Sequence, residues 1–304
     1  LSFMASGVKA GFSHRFTGRH ILLMNVNYLE NAPPIKNVFS NVRVSNDLVK
    51  ALRSNALYGI DLKYIWRHPI IQATLSGYFL KLTGLTNISF YYADGISGID
   101  SGTAFVQEIL EGIDKRHLGI EFGIEAQVIP TIKLTGVASV GQYTYDNNPN
   151  LLLSSSDFTD GLDFGEANLK DYKIAGGPQR AFSLGFEYRD PNYWWFGTTA
   201  NFMSNAYVDV SPLTRTENFY LDTDGLPFPD YDPALAKELL RQEKFDSYMV
   251  WNAVGGKSWK VGDKYISLFV SLNNILNKKF KTGGYEQGRN ANYRNLKQDV
   301  SNDK

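Results

Sequence analysis

Residues 117–128 read His-Leu-Gly-Ile-Glu-Phe-Gly-Ile-Glu-Ala-Gln-Val, and their strict alternation limits what the chain can become. In a strand, successive side chains point to opposite faces. Leu118, Ile120, Phe122, Ile124, Ala126 and Val128 therefore share one face, and His117, Gly119, Glu121, Gly123, Glu125 and Gln127 share the other. Strands of soluble sandwiches also alternate, but they average about 5–6 residues and place their charges in water. A longer strand with one wholly apolar and one carboxylate-bearing face fits a membrane-spanning barrel, in which roughly 9–11 tilted residues cross the bilayer.

Other segments repeat the pattern. Val8, Ala10, Phe12, His14 and Phe16 alternate with Lys9, Gly11, Ser13 and Arg15. Tyr58, Ile60, Leu62, Tyr64 and Trp66 alternate with Gly59, Asp61, Lys63, Ile65 and Arg67. Phe182, Leu184, Phe186 and Tyr188 form a third series, and Ile266, Leu268, Val270 and Leu272 a fourth. The polar face carries both signs of charge, including Lys9, Asp61, Glu121, Lys133, Glu187 and Arg189. Burying such charges unpaired is expensive, so they require water or partners, and a wet or plugged lumen supplies both.

Ten strands are expected, near 4–16, 19–30, 55–67, 70–91, 116–129, 131–146, 180–190, 193–209, 247–260 and 264–275. Turn-formers at Thr17-Gly18, His68-Pro69, Pro130, Pro191 and Gly262 mark short connections between them. Long connections fall at roughly 31–53, 93–115, 146–178, 211–245 and 276–304, and a strict short–long rhythm is what an up-and-down barrel requires. Two registers stay open. Tyr248 and Val250 compete with Met249 and Trp251 for the outer face, and Leu82, Leu85 and Ile88 break period two, as a bulge or a strand rising past the membrane would. Helices are expected in two loops. Asp232-Pro233 forms an N-cap and first-turn pair for 234–242, and Phe105, Ile109 and Ile113 lie at helical spacing around 103–112.

The 304 residues contain no apolar run long enough for a transmembrane helix, a test to which barrel strands are nearly blind. Aromatics make up 14% of the chain, with 18 Tyr and 19 Phe, and barrels place such residues in interfacial girdles. A net charge of zero removes the electrostatic case for nucleic acid. The absence of Cys excludes disulfides, thiolate metal sites and cysteine nucleophiles. Leu1 to Gly7 show no signal peptide and run straight into a strand, while the carboxyl end stops in a polar stretch, so both ends read as cut.

Residues 270–277, Val-Ser-Leu-Asn-Asn-Ile-Leu-Asn, resemble the penultimate strand of TonB-dependent outer-membrane receptors. Gly-Gly-Tyr-Glu-Gln-Gly-Arg at 283–289 resembles the loop that follows it in the Bacteroidota branch. Asn-Ala-Pro-Pro-Ile-Lys-Asn-Val-Phe at 31–39, with Arg43, Val44, Ser45 and Asn46, is similar to another extracellular loop of that group. The resemblance implies an all-β, antiparallel up-and-down transmembrane barrel with long extracellular loops. A whole barrel of this family has about 22 strands, so ten place residues 1–304 in the carboxyl-terminal part of one, without its plug and final strand. It further implies energy-coupled uptake of a scarce nutrient (siderophore, cobalamin, glycan or peptide) in the outer membrane of a Gram-negative bacterium. The partners would be outer-membrane lipids, the TonB-ExbB-ExbD complex and a surface lipoprotein.

No catalytic constellation is present, and no cofactor is expected. His14, His20, His68 and His117 lie on separate strands or turns, and neither a Gly-x-Ser-x-Gly elbow nor a phosphate loop occurs. Asp222, Asp224, Asp230 and Asp232 offer oxygens to calcium but lack the spaced ligand set of an EF-hand, so a solvated turn is the simpler reading. Ligand capture falls to aromatic loop residues, which offer stacking area: Tyr172, Phe219, Tyr220, Tyr231 and Tyr285. The alternative is a passive porin or structural barrel. A rim enzyme would need a residue cluster that the loops do not offer.

Overall fold

The computed structural model describes residues 2–40, 46–99, 102–155 and 158–302. Arg43, Val44 and Ser45, which contributed to the loop resemblance, lie outside them.

Twelve strands form one antiparallel sheet. They are β1 (Ser6–Arg15), β2 (His20–Asn31), β3 (Asn55–Arg67), β4 (Ile71–Asp94), β5 (Thr103–Ile129), β6 (Ile132–Tyr145), β7 (Asn150–Ser155), β8 (Phe158–Glu166), β9 (Arg180–Arg189), β10 (Trp194–Ser204), β11 (Tyr248–Val261) and β12 (Lys264–Leu272). Ten follow one another as β1-β2-β3-β4-β5-β6-β9-β10-β11-β12, while β7 and β8 form a side hairpin on β5. The path is open: β1 and β12 are its edges, and each pairs with a single neighbour.

Registers align the apolar series into rows across the sheet. Phe122 lies opposite Leu75 and Ala138, and the row continues through Tyr64 and Leu22 on one side and Phe182, Phe202 and Met249 on the other. These side chains share one face, and many stay exposed, Ile120 at 60%. Met249 and Trp251 take this apolar face, which settles the register of β11. Tyr28 and Tyr58 pack with tilted rings 5.0 Å apart in the row of Arg116 and Lys81, where the belt ends on the long-loop side. Tyr188 and Trp194 pack with tilted rings 4.9 Å apart toward the short turns.

The opposite face is polar and cross-linked. Asn25 donates to Asp61 at 2.9 Å, and Lys133 lies 3.7 Å from Glu125 and 4.0 Å from Glu187. Gly119 and Gly141 face each other across β5 and β6 beneath the rings of Tyr78 and Tyr143, whose hydroxyls hydrogen-bond at 2.7 Å. A Cβ on Gly119 would sit 2.5 Å from the Tyr78 hydroxyl, so only glycine leaves room for that ring.

Two expectations need correction. The helix expected over 103–112 is the first half of β5, paired with β4 from Thr103 to Ile113. Phe105 and Ile109 are four apart, a spacing that puts side chains on one side of a strand as well as of a helix, and the bulge at Gly112 (φ 73°) then shifts Ile113 to the other side. The connection between β4 and β5 thus shrinks to 95–102. Within 146–178, expected as one long connection, stands the β7–β8 hairpin. Leu151, Leu152 and Leu153 do not alternate because both sides of β7 are buried.

The helix after Asp232 is present as α1 (Pro233–Leu239), with the Asp232 carboxylate accepting from the Ala234 amide at 2.8 Å. A second helix, α2 (Tyr293–Asn302), was not anticipated. Asn292 caps it through the Asn295 amide at 3.0 Å, and the buried Tyr293 anchors it.

Candidate functional site

The long-loop end of the sheet carries the only sizeable hydrophobic core among the described residues. β4 and β5 run 24 and 27 residues, far more than a crossing needs, and rise together past the apolar belt. The bulge between Leu82 and Leu85 and the left-handed Gly84 (φ 73°) lie beside Gly112, where the two strands change phase together. Above it, Val106, Leu110 and Ile113 pack with Leu151, Leu153 and Leu213. Ile113 and Tyr145 belong to this core and continue the polar face of β5 and β6, so the loops are folded over the face that a lumen would present.

Residues 283–292 cross that assembly as a strap. Tyr285 bridges to Asp209 and Asn290 to Asp94, both in parallel. Arg289 Nε donates to Asp94 Oδ2 at 3.0 Å, and Asn218 Nδ2 donates to the Ala291 carbonyl at 3.0 Å. The central tie is Arg215, whose side chain is 2% exposed. Its guanidinium is paired with both oxygens of Glu286, at 2.8 Å to Oε1, and donates to the Leu240 carbonyl at 3.0 Å. The face of Tyr172 lies 5.2 Å beneath it. One buried cation thus joins the strap, the carboxyl end of α1 and the loop after β8.

Between the β4–β5 arm and the strap opens a cleft of ≈ 300–1,000 Å³ class, the usual size of small-ligand sites; its volume is ≈ 740 Å³. Glu108, Lys115, Tyr145, Asp209, Ser211 and Tyr285 are among its walls. Burial raises the Glu108 carboxyl above its ordinary range, although Tyr91 and Ser89 donate to it at 2.6 and 3.0 Å and partly offset that rise. Burial lowers the Lys115 ammonium, and its Nζ lies 5.4 Å from the centre of the Tyr145 ring. Burial likewise raises the Asp209 carboxyl, with Lys115 pulling the other way. The wall therefore holds both signs of charge, with Glu108 buried, Lys115 half-buried and Asp209 exposed, an arrangement suited to binding a polar ligand; no nucleophile–base pair is assembled there.

The residues singled out by sequence are separated by the fold. Phe219 is 2% exposed and packs edge-on against Tyr293 at 6.1 Å, so the exposure expected for it is absent. Tyr231 stands 5.0 Å from Tyr293 and 6.1 Å from Tyr220, which gathers three of the five around α2. Tyr172 donates to the Leu240 carbonyl at 3.1 Å beneath Arg215. Tyr285 alone stands free, 77% exposed, at the cleft. The acidic turn has local duties: Asp222 accepts the amides of Asp224 and Leu226, Asp230 pairs with Arg294 at 2.8 Å, and Asp232 caps α1. Glu108, Lys115, Asp209, Arg215 and Glu286 were missed. Their one sequence signal is charge inside otherwise apolar or loop segments, which does not say that segments far apart in the chain bring them together.

A single meandering antiparallel sheet, with membrane-length strands, an apolar belt between aromatic rows, a charged opposite face and long loops at one end, is the wall of an outer-membrane type of β-barrel. The family model described as TonB dependent receptor-like, beta-barrel, matches residues 9–275, and the chain belongs to that family. It is similar in structure to the copper transporter OprC, with a TM-score of 0.57, 15% identity and coverage of 90% of this chain and 34% of that one. The ferric-catecholate import receptor Fiu of E. coli K12 gives 0.54 at 14% identity, covering 92% and 32%. The FrpB iron transporter of Neisseria meningitidis gives 0.52 at 12%, covering 90% and 35%. At these identities the likeness is one of fold, and the chain spans about a third of the length of each structure. No curated protein matches the chain. The family and these structures are receptors and transporters rather than enzymes, and the family is typically found in the Gram-negative outer membrane.

Proposed function

We propose that this chain is the carboxyl-terminal part of the barrel of an outer-membrane receptor of the Bacteroidota type. The receptor takes up a scarce nutrient with energy delivered by the TonB-ExbB-ExbD complex. The observation that carries this reading is the pairing of a family match over 9–275 with loops packed into a ligand-sized cleft over the polar face. A passive porin is not favoured by that match. The open edges support the assignment to part of a barrel, because an unpaired peptide group in lipid costs several kcal/mol and β1 and β12 need further partners. Residues 270–277 and 283–289 support the Bacteroidota branch. In this reading the loops capture the ligand, and TonB, acting on a plug, opens its path. The nutrient is a siderophore, cobalamin, glycan or peptide. Tyr285 and the tyrosines around α2 supply stacking surface, and a surface lipoprotein covers the loops.

The test is uptake by the host cell. Nutrient accumulation that depends on the intact gene should stop when a protonophore collapses the proton gradient or when TonB is deleted. Accumulation that continues under both conditions would indicate a passive pore.

A further inference from the structure

The cleft contains charges of both signs that do not meet: Lys115 and Asp209, with the exposed Lys36 as a second cation on its lining. Lys115 and Asp209 both line it, yet among the described residues neither forms an ion pair within the 4.0 Å that such a contact requires. The other acids at the cleft are occupied: Glu108 accepts from Ser89 and Tyr91, and Glu286 holds Arg215. Two neutral groups are left over as well. Ser211 is 5% exposed and its Oγ has no hydrogen-bond partner, and neither has Oδ1 of Asn55, which also lines the cleft. Buried polar groups are almost always paired, and orphaned ones call for an explanation. Lys115 is half-buried, so an unpaired ammonium there is costly, while Asp209 stays open to solvent and available to a ligand.

We propose that this cleft binds a small zwitterion, an amino acid or short peptide with both termini free, with its carboxylate on Lys115 and its ammonium on Asp209. Such a ligand satisfies both charges at once, and the amide groups of a peptide offer hydrogen bonds to Ser211 and Asn55. A neutral sugar meets the hydroxyl and amide groups but leaves both charges unpaired. A purely anionic ligand is attracted by Lys115 and Lys36 but repelled by Asp209 and Glu286, and it leaves Asp209 unmatched. Burial pushes Lys115 and Asp209 toward their neutral forms, and a bound zwitterion reverses both shifts. Tyr285 at the mouth offers a ring to whatever side chain the ligand carries.

This proposal rests on the uptake reading above, and its test is chosen to separate the two. The receptor, in outer-membrane vesicles from its host without an energy source, is titrated with labelled trialanine, with amino-acetylated, carboxyl-amidated and doubly capped trialanine, and with maltotriose. Trialanine should bind best, and each cap should weaken it about tenfold or more, as expected for loss of a charged hydrogen bond. Lys115→Met should penalise trialanine but not the carboxyl-amidated peptide, and Asp209→Asn should penalise trialanine but not the amino-acetylated one. Equal binding of capped and free peptides, or binding of maltotriose alone, would overturn the proposal, and so would absence of all binding in a receptor that still performs TonB-dependent uptake in cells. Charge-dependent trialanine binding with uptake indifferent to the proton gradient would uphold the site and defeat the uptake reading instead. Comparison of the capped peptides on the unmodified receptor needs no variant to fold.

Discussion

Arginine placed along the apolar face of β5 measures directly whether that face meets lipid. Between the Tyr58–Arg116 row and the Ile129 end, at about 3.3 Å per residue and a tilt of about 40°, the strand rises about 33 Å, enough for an apolar band about 25 Å tall with its girdles. The midpoint falls beside Phe122. Phe122→Arg should therefore cost about 2–4 kcal/mol, Ile120→Arg and Ile124→Arg nearly as much, and Leu118→Arg and Val128→Arg about 0–1 kcal/mol. Glu121→Gln, one residue from the midpoint but on the polar face, should cost a few tenths. The assay is guanidinium unfolding of the receptor from lipid vesicles, comparing midpoints at constant slope. A peaked profile centred on Phe122 supports membrane embedding. A flat profile, or large costs at both Glu121 and Phe122, would mean that the apolar face packs against protein and would refute the assignment.

Three further outcomes are expected. Arg215→Met leaves Glu286 without its cation and should weaken the strap by about 3 kcal/mol, the low end for breaking a buried pair, since Glu286 is partly exposed; hydrogen exchange of the Glu286 amide, bonded to the Asp209 carbonyl, should accelerate about a hundredfold while β5 amides below Arg116 do not change. Gly119→Ala drives a Cβ into Tyr78 and should destabilise by about 1–3 kcal/mol, with Gly119→Ala/Tyr78→Ala losing less than the sum of the single changes in a double-mutant cycle. The Lys81 ammonium, bonded to Asp146 at 2.7 Å with Arg116 at 3.2 Å, holds the Asp146 carboxyl below its usual range. That contribution is present above the unfolded carboxylate value of about 3.9 and is lost as pH falls through the lower folded value, so melting of Asp146→Asn should converge with the parent only at strongly acid pH.

Period-two patterning was enough to place all ten strands of the main path and their short turns, because a strand that separates lipid from a polar interior must sort its side chains by face. Local capping chemistry was likewise enough for α1, where Asp232 and Pro233 cap and start the helix through bonds a few residues long. The pattern failed where both faces of a strand are covered by protein. The upper half of β5 and the triple leucine of β7 lost their alternation there, and a spacing of four residues in β5 imitated a helix. The same limit applies to the candidate site. Tyr285 was recognisable as an aromatic residue in a loop, but Phe219 is buried against Tyr293 of α2, a contact that only the packing of distant loops creates. Lys115 and Asp209 come from segments 94 residues apart, and Arg215 and Glu286 from segments 71 apart. Alternation is enforced by the solvent on each side of one strand and is therefore written locally. The cleft exists only once distant loops fold over a common face, and which charges meet there, and which are left unmet, is decided by tertiary packing.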